Sequence, residues 1–295
     1  MNLLNHFEML CYALTIMGLA DMIIGRKEED LLLFLSASLA GFALELLAVR
    51  VTGIYHYSTK FLFNIGSEPY QFPLFGGFMW GGLTVYALRI VRKLKMSPLL
   101  TSLLCGWLVV TMDIFLDVAA IRLNGGFWVW EGREITLDIT HHMFMSVLWV
   151  NFLGYLFETP AMVYVSLKTW DARKNAPVWK KLLYAAGIAG AGIGFVGAAS
   201  GISLFLNSFT DEWFACIAFV LLWVLILLFT LKHLKTVRCV IRSFDLPLVL
   251  YWAAMYLFCI AGLGHLGIAF QKPLYFVFCL ASALFTLYLS FNEAT

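Results

Sequence analysis

Charged residues are scarce in this chain. They make up 13% of its 295 residues, whereas hydrophobic residues make up 62%. Soluble domains carry about 25% charged residues, so this composition excludes an ordinary soluble domain. The mean hydropathy of +0.86 agrees. Because the apolar residues come in runs long enough for membrane helices, the composition predicts an all-α polytopic integral membrane protein.

Several familiar catalytic and binding patterns are absent. The six cysteines are scattered and include no Cys-x-x-Cys pair, which argues against a disulfide framework or a cysteine metal site. The chain also lacks a Gly-x-Ser-x-Gly elbow, a His-Glu-x-x-His pair and a glycine-rich phosphate loop. Its basic residues lie in short loops, where membrane topology explains them, so no nucleic-acid partner is expected. The sequence predicts neither a cofactor nor a bound metal, and it identifies no protein partner.

Nine apolar runs are long enough to cross a bilayer, which takes about 20 residues per helix. No cleavable signal peptide is evident, so the first run is expected to be a retained span. The predicted spans are about 7–24, 31–53, 71–91, 98–121, 142–167, 182–206, 213–231, 246–268 and 273–291.

The distribution of basic residues predicts the orientation. With the N-terminus outside, fifteen of the twenty Lys and Arg residues, Arg238 and Arg242 among them, fall in the loops of one face. The positive-inside rule makes that face cytoplasmic. The long loops 54–70 and 122–141 then lie on the outer face. We predict a multi-pass protein of the cell (inner) membrane.

The chain divides by its polar content into three parts. Residues 1–167 form a half that carries acids and aromatic loops, 168–181 form a cytoplasmic linker, and 182–295 form a half of packing spans. The sixth run holds two glycine pairs that would permit close helix contact. They are Gly190 with Gly194 and Gly197 with Gly201.

Two carboxylic acids, Asp113 and Asp117, lie within the fourth apolar run. Ionisable residues inside membrane segments are costly and usually functional. Their spacing of four places both on one face of a helix. Arg122 follows where the run ends, and the aromatic pair Trp128 and Trp130 comes next.

A similar arrangement occurs earlier in the chain. Glu45 lies in the second run, Arg50 follows five residues later, and Tyr55 and Tyr57 form the aromatic pair. At a rise of 1.5 Å per residue, Glu45 and Asp113 lie about 21 and 22 Å from the inner ends of their helices. The two acids can therefore share one depth in the outer half of the membrane.

Other polar residues are placed by the same counting. Asn151 lies about 13 Å below the outer end of the fifth run, near the layer of the acids, whereas Glu158 lies about 24 Å from that end and is expected outside their site. His265 is the one conspicuous polar residue of the last spans. Alternating residues around Glu131–Gly132 predict a small surface hairpin.

Buried acids rimmed by aromatic rings suit carbocation chemistry. Burial disfavours a charged carboxylate, so such an acid can keep a proton near neutral pH. It can donate that proton to a carbon–carbon double bond, and the faces of Trp and Tyr can stabilise the resulting cation. A second, ionised acid can take a proton from water or from the intermediate. Proton-coupled transport would also use membrane acids.

The order of these motifs resembles the carotenoid-biosynthesis membrane proteins that include the carotenoid 1,2-hydratases, and it is similar to membrane lycopene-cyclase-type enzymes. The matching positions cover about 41–160. They are Glu45 with Gly53, Tyr55 and Tyr57; Pro73 with Trp80; Leu116–Asp117 with Trp128 and Trp130; and Asn151–Phe152 with Gly154. Val118 and Tyr155 depart from the proline and tryptophan of the family pattern, and His141–His142 stands where a Gly-x-Pro approach is expected.

The resemblance implies a membrane enzyme that hydrates or cyclises a terminal double bond of an isoprenoid lipid. On this hypothesis Asp113 or Asp117 donates the proton, and Glu45 is the partner base or positions water. The supporting residues would be Arg50 and Arg122, which hold the acids; Tyr55, Tyr57, Trp128 and Trp130, which line the cationic end; Asn151, which positions water; and Trp80 and His142 nearby.

Two other functions remain open from the residues alone. A proton-coupled transporter or lipid-binding protein would use the same acids without changing its solute chemically. A metal-dependent intramembrane hydrolase would combine His142 with the acids. A retinal-binding receptor is disfavoured, because no lysine lies in the middle of the last spans to form a Schiff base.

Overall fold

The computed structural model describes residues 2–237, 239–241 and 244–294. Arg238 and Arg242, which entered the charge count, lie outside the described residues. The structure is 74% helical. Its helices in the described residues are α1 (Leu3–Ile24), α2 (Glu28–Thr52), α3 (Leu74–Arg92), α4 (Pro98–Ala120), α5 (Trp149–Arg173), α6 (Val178–Asn207), α7 (Trp213–Thr236), α8 (Leu246–His265), α9 (Ile268–Gln271) and α10 (Pro273–Phe291).

The predicted all-α polytopic membrane fold is confirmed. Eight helices in the described part of the chain are long and apolar enough to cross a membrane. The remaining long helix, α5, corresponds to the fifth predicted span and has 25 residues. That length reaches about 37 Å, but residues such as Asn151 and Glu158 make its sequence more polar than the others. α5 packs against α4 and α6, so its polar positions are covered by protein.

Several helices start at a proline or a capping side chain. The Ser97 hydroxyl accepts a hydrogen bond from the Leu100 N–H, and Pro98 opens α4. Asp245 caps α8 in the same way through the Leu248 N–H. Such starts satisfy free N–H groups, and proline costs nothing there because its missing N–H would have no partner.

Eight short strands occur in antiparallel pairs among the described residues, and none of these pairs is the predicted hairpin. The strands are β1 (Tyr55–Tyr57), β2 (Asn64–Ile65), β3 (Phe72–Pro73), β4 (Trp128–Trp130), β5 (Met143–Phe144), β6 (Val147–Leu148), β7 (Cys239–Ile241) and β8 (Asn292–Ala294). The hairpin around Glu131–Gly132 is wrong, because β4 pairs antiparallel with β1 from the other long loop. Alternation along one segment reveals a strand but not its partner.

Two predicted boundaries in the middle of the chain are corrected. The fifth span is predicted to start at 142, but α5 starts only at Trp149. The residues before it form the paired strands β5 and β6, which a tight turn joins at Met145 and Ser146, both with positive φ. The linker is predicted at 168–181. Its first part continues α5 to Arg173 and its last part begins α6 at Val178, so the connection is much shorter.

The glycines of α6 do not make the close contacts expected of them. A Cβ built at any of four of these positions would meet no other atom within 4 Å. The four are Gly190, Gly194, Gly197 and Gly201. They therefore lie on a face of α6 that the described residues leave uncovered.

The N-terminus lies at the same end of the bundle as the two long loops. The Leu4 N–H donates to Asn124 Oδ1 at 3.2 Å, and Asn5 Nδ2 donates to the carbonyl of Lys60 at 3.0 Å. We call this the loop end, and the opposite end the charged end. The helices alternate between these ends as predicted, while the side of the membrane that each faces stays a prediction.

A buried ion network joins α1, α2 and α3 at the charged end. Arg89 Nη1 lies 2.5 Å from Asp21 Oδ2, and Arg89 Nε lies 2.7 Å from Asp30 Oδ2. Arg92 contacts both Glu29 and Asp30. The Arg89 side chain is only 7% exposed, so its loss would leave two carboxylates without their main partner.

We expect Arg89→Leu to destabilise the protein by about 3 kcal/mol, because breaking a buried ion pair from one side strands the other charge. The matched control is Lys174→Ala at the exposed pair with Asp171, which should cost less than about 1 kcal/mol. Thermal unfolding of both variants in detergent measures the difference. Equal midpoints would show that the network contributes nothing to stability.

Candidate functional site

A cavity of about 70 Å³ lies at the loop end, between α2, α3, α4 and α5 and beneath the β1–β4 pair. It brings together most of the predicted site residues. Its lining includes Glu45, Asp113, Asp117, Asn151, Tyr55, Tyr57, Trp80, Trp128, Trp130 and Tyr155. The three acids are each less than 5% exposed. Polar atoms are therefore concentrated in a chamber whose other walls are aromatic and aliphatic.

Asp113 and Asp117 lie one turn apart on the same face of α4, as their spacing predicts, and both line the cavity. Two ionised carboxylates so close together in an apolar wall would repel each other, and burial disfavours both charges, so this arrangement favours a proton on one of the two. Asn151 Nδ2 donates to Asp117 Oδ2 at 3.0 Å, which occupies an oxygen of that acid. We call these two acids the aspartate pair. It is a candidate site for a proton inside an apolar wall.

Glu45 is surrounded by hydroxyl donors. Tyr55 and Tyr57 donate to its Oε2 at 2.9 and 2.7 Å, and Tyr155 donates to its Oε1 at 2.8 Å. Three O–H donors favour the ionised form of a carboxyl group. Burial and the Glu45 charge raise the pKa of Tyr55 and of Tyr57, so these phenols remain donors. Three hydroxyl groups therefore surround Glu45, whereas the two acids of the aspartate pair lie beside each other.

The paired strands aim the aromatic side chains into the cavity. Residues two apart on a strand point to the same side, so Tyr55 and Tyr57 on β1 face the same way, as do Trp128 and Trp130 on β4. Tyr55 lies opposite Trp130, with ring centroids 5.3 Å apart, and Tyr57 lies opposite Trp128 at 6.1 Å. Gly53 ends α2 with φ +60°, which turns the chain back over Glu45.

Two buried polar atoms in the cavity wall have no hydrogen-bond partner among the described residues. They are Asp113 Oδ2 and the indole Nε1 of Trp130. A buried polar group without a partner is costly, so such atoms commonly mark a place for a ligand or water. One is a carboxyl oxygen and the other an N–H donor. The cavity can therefore receive a small polar molecule beside an apolar chain.

The two arginines do not hold the acids, contrary to the sequence-based expectation. Arg50 is exposed and donates to the carbonyl of Leu46 one turn earlier. Arg122 donates to the carbonyls of Thr136 and Met145, and so secures the second long loop. Arg50 lies in the last turn of α2 and Arg122 lies two residues after α4, and each also donates to the carbonyl four residues earlier, where helix ends leave carbonyls unpaired.

The histidines also lie apart from the cavity lining. His142 Nδ1 is 2.5 Å from Glu212 Oε2, and His141 stacks on Trp213, which ties this loop to the start of α7. His265 is exposed at the end of α8. No group of three His, Cys, Asp or Glu side chains within the described ranges could hold a metal ion. The structure places His142 outside the cavity lining, on the side of Glu212.

Two important side chains were missed from the sequence. Tyr155 stands only as a departure from a motif, although it lies four residues after Asn151 and so on the same helical face. Glu8 is fully buried and accepts hydrogen bonds from the backbone N–H groups of Leu62 and Phe63. It anchors the first long loop to α1. Its position near the chain start, in the first apolar run, was the available signal.

A protein-family model described as carotenoid biosynthesis protein matches residues 4–222, about three quarters of the chain. The matched region includes α1 to α6, the two long loops and every residue named above as lining the cavity. No curated protein and no solved structure matches the chain.

The aspartate pair should hold a proton at neutral pH. Infrared difference spectra between the wild type and Asp117→Asn should show the loss of one C=O band of a neutral carboxylic acid. The amide N–H of asparagine can donate a hydrogen bond to Asp113, so Asp113 no longer shares a proton with a second acid. Asp138→Asn, in the exposed loop, should leave that band unchanged. An identical acid band in Asp117→Asn and wild type would contradict the shared proton.

Proposed function

Because the chain belongs to the family of carotenoid biosynthesis proteins, we propose that it is an enzyme of the cell (inner) membrane acting on a long isoprenoid or carotenoid. Its reaction is the acid-catalysed addition of water to a terminal carbon–carbon double bond. The observation that carries this proposal is that the aspartate pair lies in one apolar cavity with Glu45, which three tyrosine hydroxyl groups surround. In the proposed reaction the pair carries a proton and Glu45 is an anion. Cyclisation through the same cation is the alternative outcome.

The aspartate pair is the acid of this reaction. The free Oδ2 of Asp113 lies in the cavity wall, and the shared proton can pass from the pair to a terminal alkene carbon. The electrons of the double bond form the new C–H bond, and the neighbouring carbon becomes a tertiary cation. Asn151 continues to donate to Asp117 and so stabilises the pair once it has lost its proton.

Aromatic rings surround the place where the cation forms. The faces of Trp128, Trp130, Tyr55 and Tyr57 border the cavity, and each cation–π contact contributes about 0.5–2 kcal/mol when desolvated. Glu45 adds a fixed negative charge that is already oriented by three hydroxyl groups. Such preorganised groups stabilise a developing charge without reorganising during the reaction.

Water completes the reaction. The Trp130 N–H has no partner among the described residues and can orient the oxygen of a water molecule. That oxygen forms a bond to the cation, and Glu45 accepts the released proton as general base. The product is a tertiary alcohol. In cyclisation Glu45 would instead take a proton from the carbon skeleton, and no oxygen would be added.

Conversion of an acyclic carotenoid such as lycopene by the purified protein in liposomes tests the proposal. We expect a hydroxylated product, and Asp117→Asn and Glu45→Gln should each lower the rate by a factor on the order of 10²–10⁴, because each removes a proton-transfer group. Asp138→Asn is the matched control and should retain full activity. Unchanged rates in both cavity variants would remove these acids from the chemistry, and a cyclic product without oxygen would replace hydration by cyclisation.

The role of the Trp130 N–H can be separated from that of its ring. Trp130→Phe keeps an aromatic face for the cation but removes the donor for water. We expect the yield of alcohol to fall more than the consumption of substrate, with the difference appearing as isomerised alkene. Product analysis by chromatography measures the ratio. An unchanged ratio would show that water is positioned by another group.

A further inference from the structure

Glu158 is a buried acid that the reaction described above does not use. Its side chain is 0% exposed, and both of its carboxyl oxygens lack a hydrogen-bond partner among the described residues. It is not part of the cavity lining, in agreement with its predicted depth. An unpaired carboxylate in such surroundings would cost several kcal/mol, so this group is held as a neutral acid that carries a proton.

Glu158 continues a polar stripe along α5. Asn151, Tyr155 and Glu158 are spaced by four and three residues, which places them on one face of the helix. At 1.5 Å per residue Glu158 lies about 4.5 Å deeper than Tyr155. Asn151 contacts the aspartate pair and Tyr155 contacts Glu45, so the same stripe passes both groups that handle protons before it reaches Glu158.

The acids that this stripe reaches are Glu45, through Tyr155, and the aspartate pair, through Asn151. These are the group that gains a proton in each turnover and the pair that loses one. After one turnover the proton must return from Glu45 to the aspartate pair, because the pair cannot protonate a second substrate molecule without it. Glu158 lies on the helical face whose side chains contact both groups, and neither of its oxygens is bonded to another described residue.

From this arrangement we infer that Glu158 is the carrier that returns the proton from Glu45 to the aspartate pair. The carrier gives its own proton to the ionised pair, which restores the acid. It then takes the proton that Glu45 accepted from water, and Glu45 is again an anion. No proton is gained or lost over the cycle. Glu158 acts through these groups and does not touch the substrate, and the inference rests on the proposed function.

The experiment compares a single turnover with steady-state turnover in Glu158→Gln. The amide has nearly the same shape but has no carboxyl proton to exchange. With enzyme in excess over lycopene, the first turnover should run at the wild-type rate, because the aspartate pair is already protonated. With substrate in excess, the steady-state rate should fall by about tenfold or more, because the return step is slowed. The solvent deuterium isotope effect on the steady-state rate should rise.

Two further variants make the test specific. Thr159→Val is the matched control, since Thr159 is an adjacent, fully buried side chain whose hydroxyl also has no partner among the described residues. It should leave both rates unchanged. Glu158→Asp keeps a carboxyl group and should recover part of the steady-state rate. A role in folding alone would slow the first turnover and the steady state equally.

Two results would overturn the inference. One is a Glu158→Gln enzyme with wild-type rates in both regimes, and the other is an equal loss in both regimes without recovery by Glu158→Asp. Neither of these results contradicts the proposed function. The proposed function fails separately if the wild-type protein leaves lycopene unchanged or if Asp117→Asn retains full activity.

Discussion

Three tyrosine hydroxyl groups that converge on one buried carboxylate hold the functional end of this molecule together. Tyr55 and Tyr57 approach Glu45 from the loop side, and Tyr155 approaches it from α5. Inside an apolar bundle an unpaired carboxylate would be expensive, so these donors are needed wherever the acid is to stay charged. The requirement draws α2, α5 and the β1–β4 pair to one point. The cavity is the space that this convergence leaves open.

In the proposed reaction Glu45 is an anion while the aspartate pair holds a proton, and the difference comes from their surroundings. Glu45 receives three O–H donors, whereas Asp113 and Asp117 lie side by side on α4, where two charges would repel each other. Keeping neighbouring carboxyl groups in different states is a common way to run acid and base chemistry in one site. The aromatic rings supply what neither acid can, namely a face for a cation that water would otherwise quench.

The two ends of the bundle have different roles. At the charged end Arg89 and Arg92 form ion pairs with Asp21, Glu29 and Asp30, and these ion pairs hold α1, α2 and α3 together. The loop end instead surrounds a cavity, and the unpartnered Asp113 Oδ2 and Trp130 Nε1 lie in its wall. Unpaired atoms in the cavity wall are tolerable because the charged end and the packed helices fix the bundle. The candidate site therefore lies at the end of the bundle where the cavity wall has polar atoms available to a substrate.

The sequence alone determined the membrane class, the number of long helices and the face of α4 that bears the acids. These follow from run length and from helical periodicity, which are local properties. It also indicated that Glu45 and Asp113 share one depth, because the rise per residue is constant. Only the tertiary structure decided that β1 pairs with β4, that Tyr155 completes the Glu45 site, and that Arg50 and Arg122 bind carbonyl groups. Those choices depend on which segments meet across the bundle, and residue spacing within one segment carries no information about its partner.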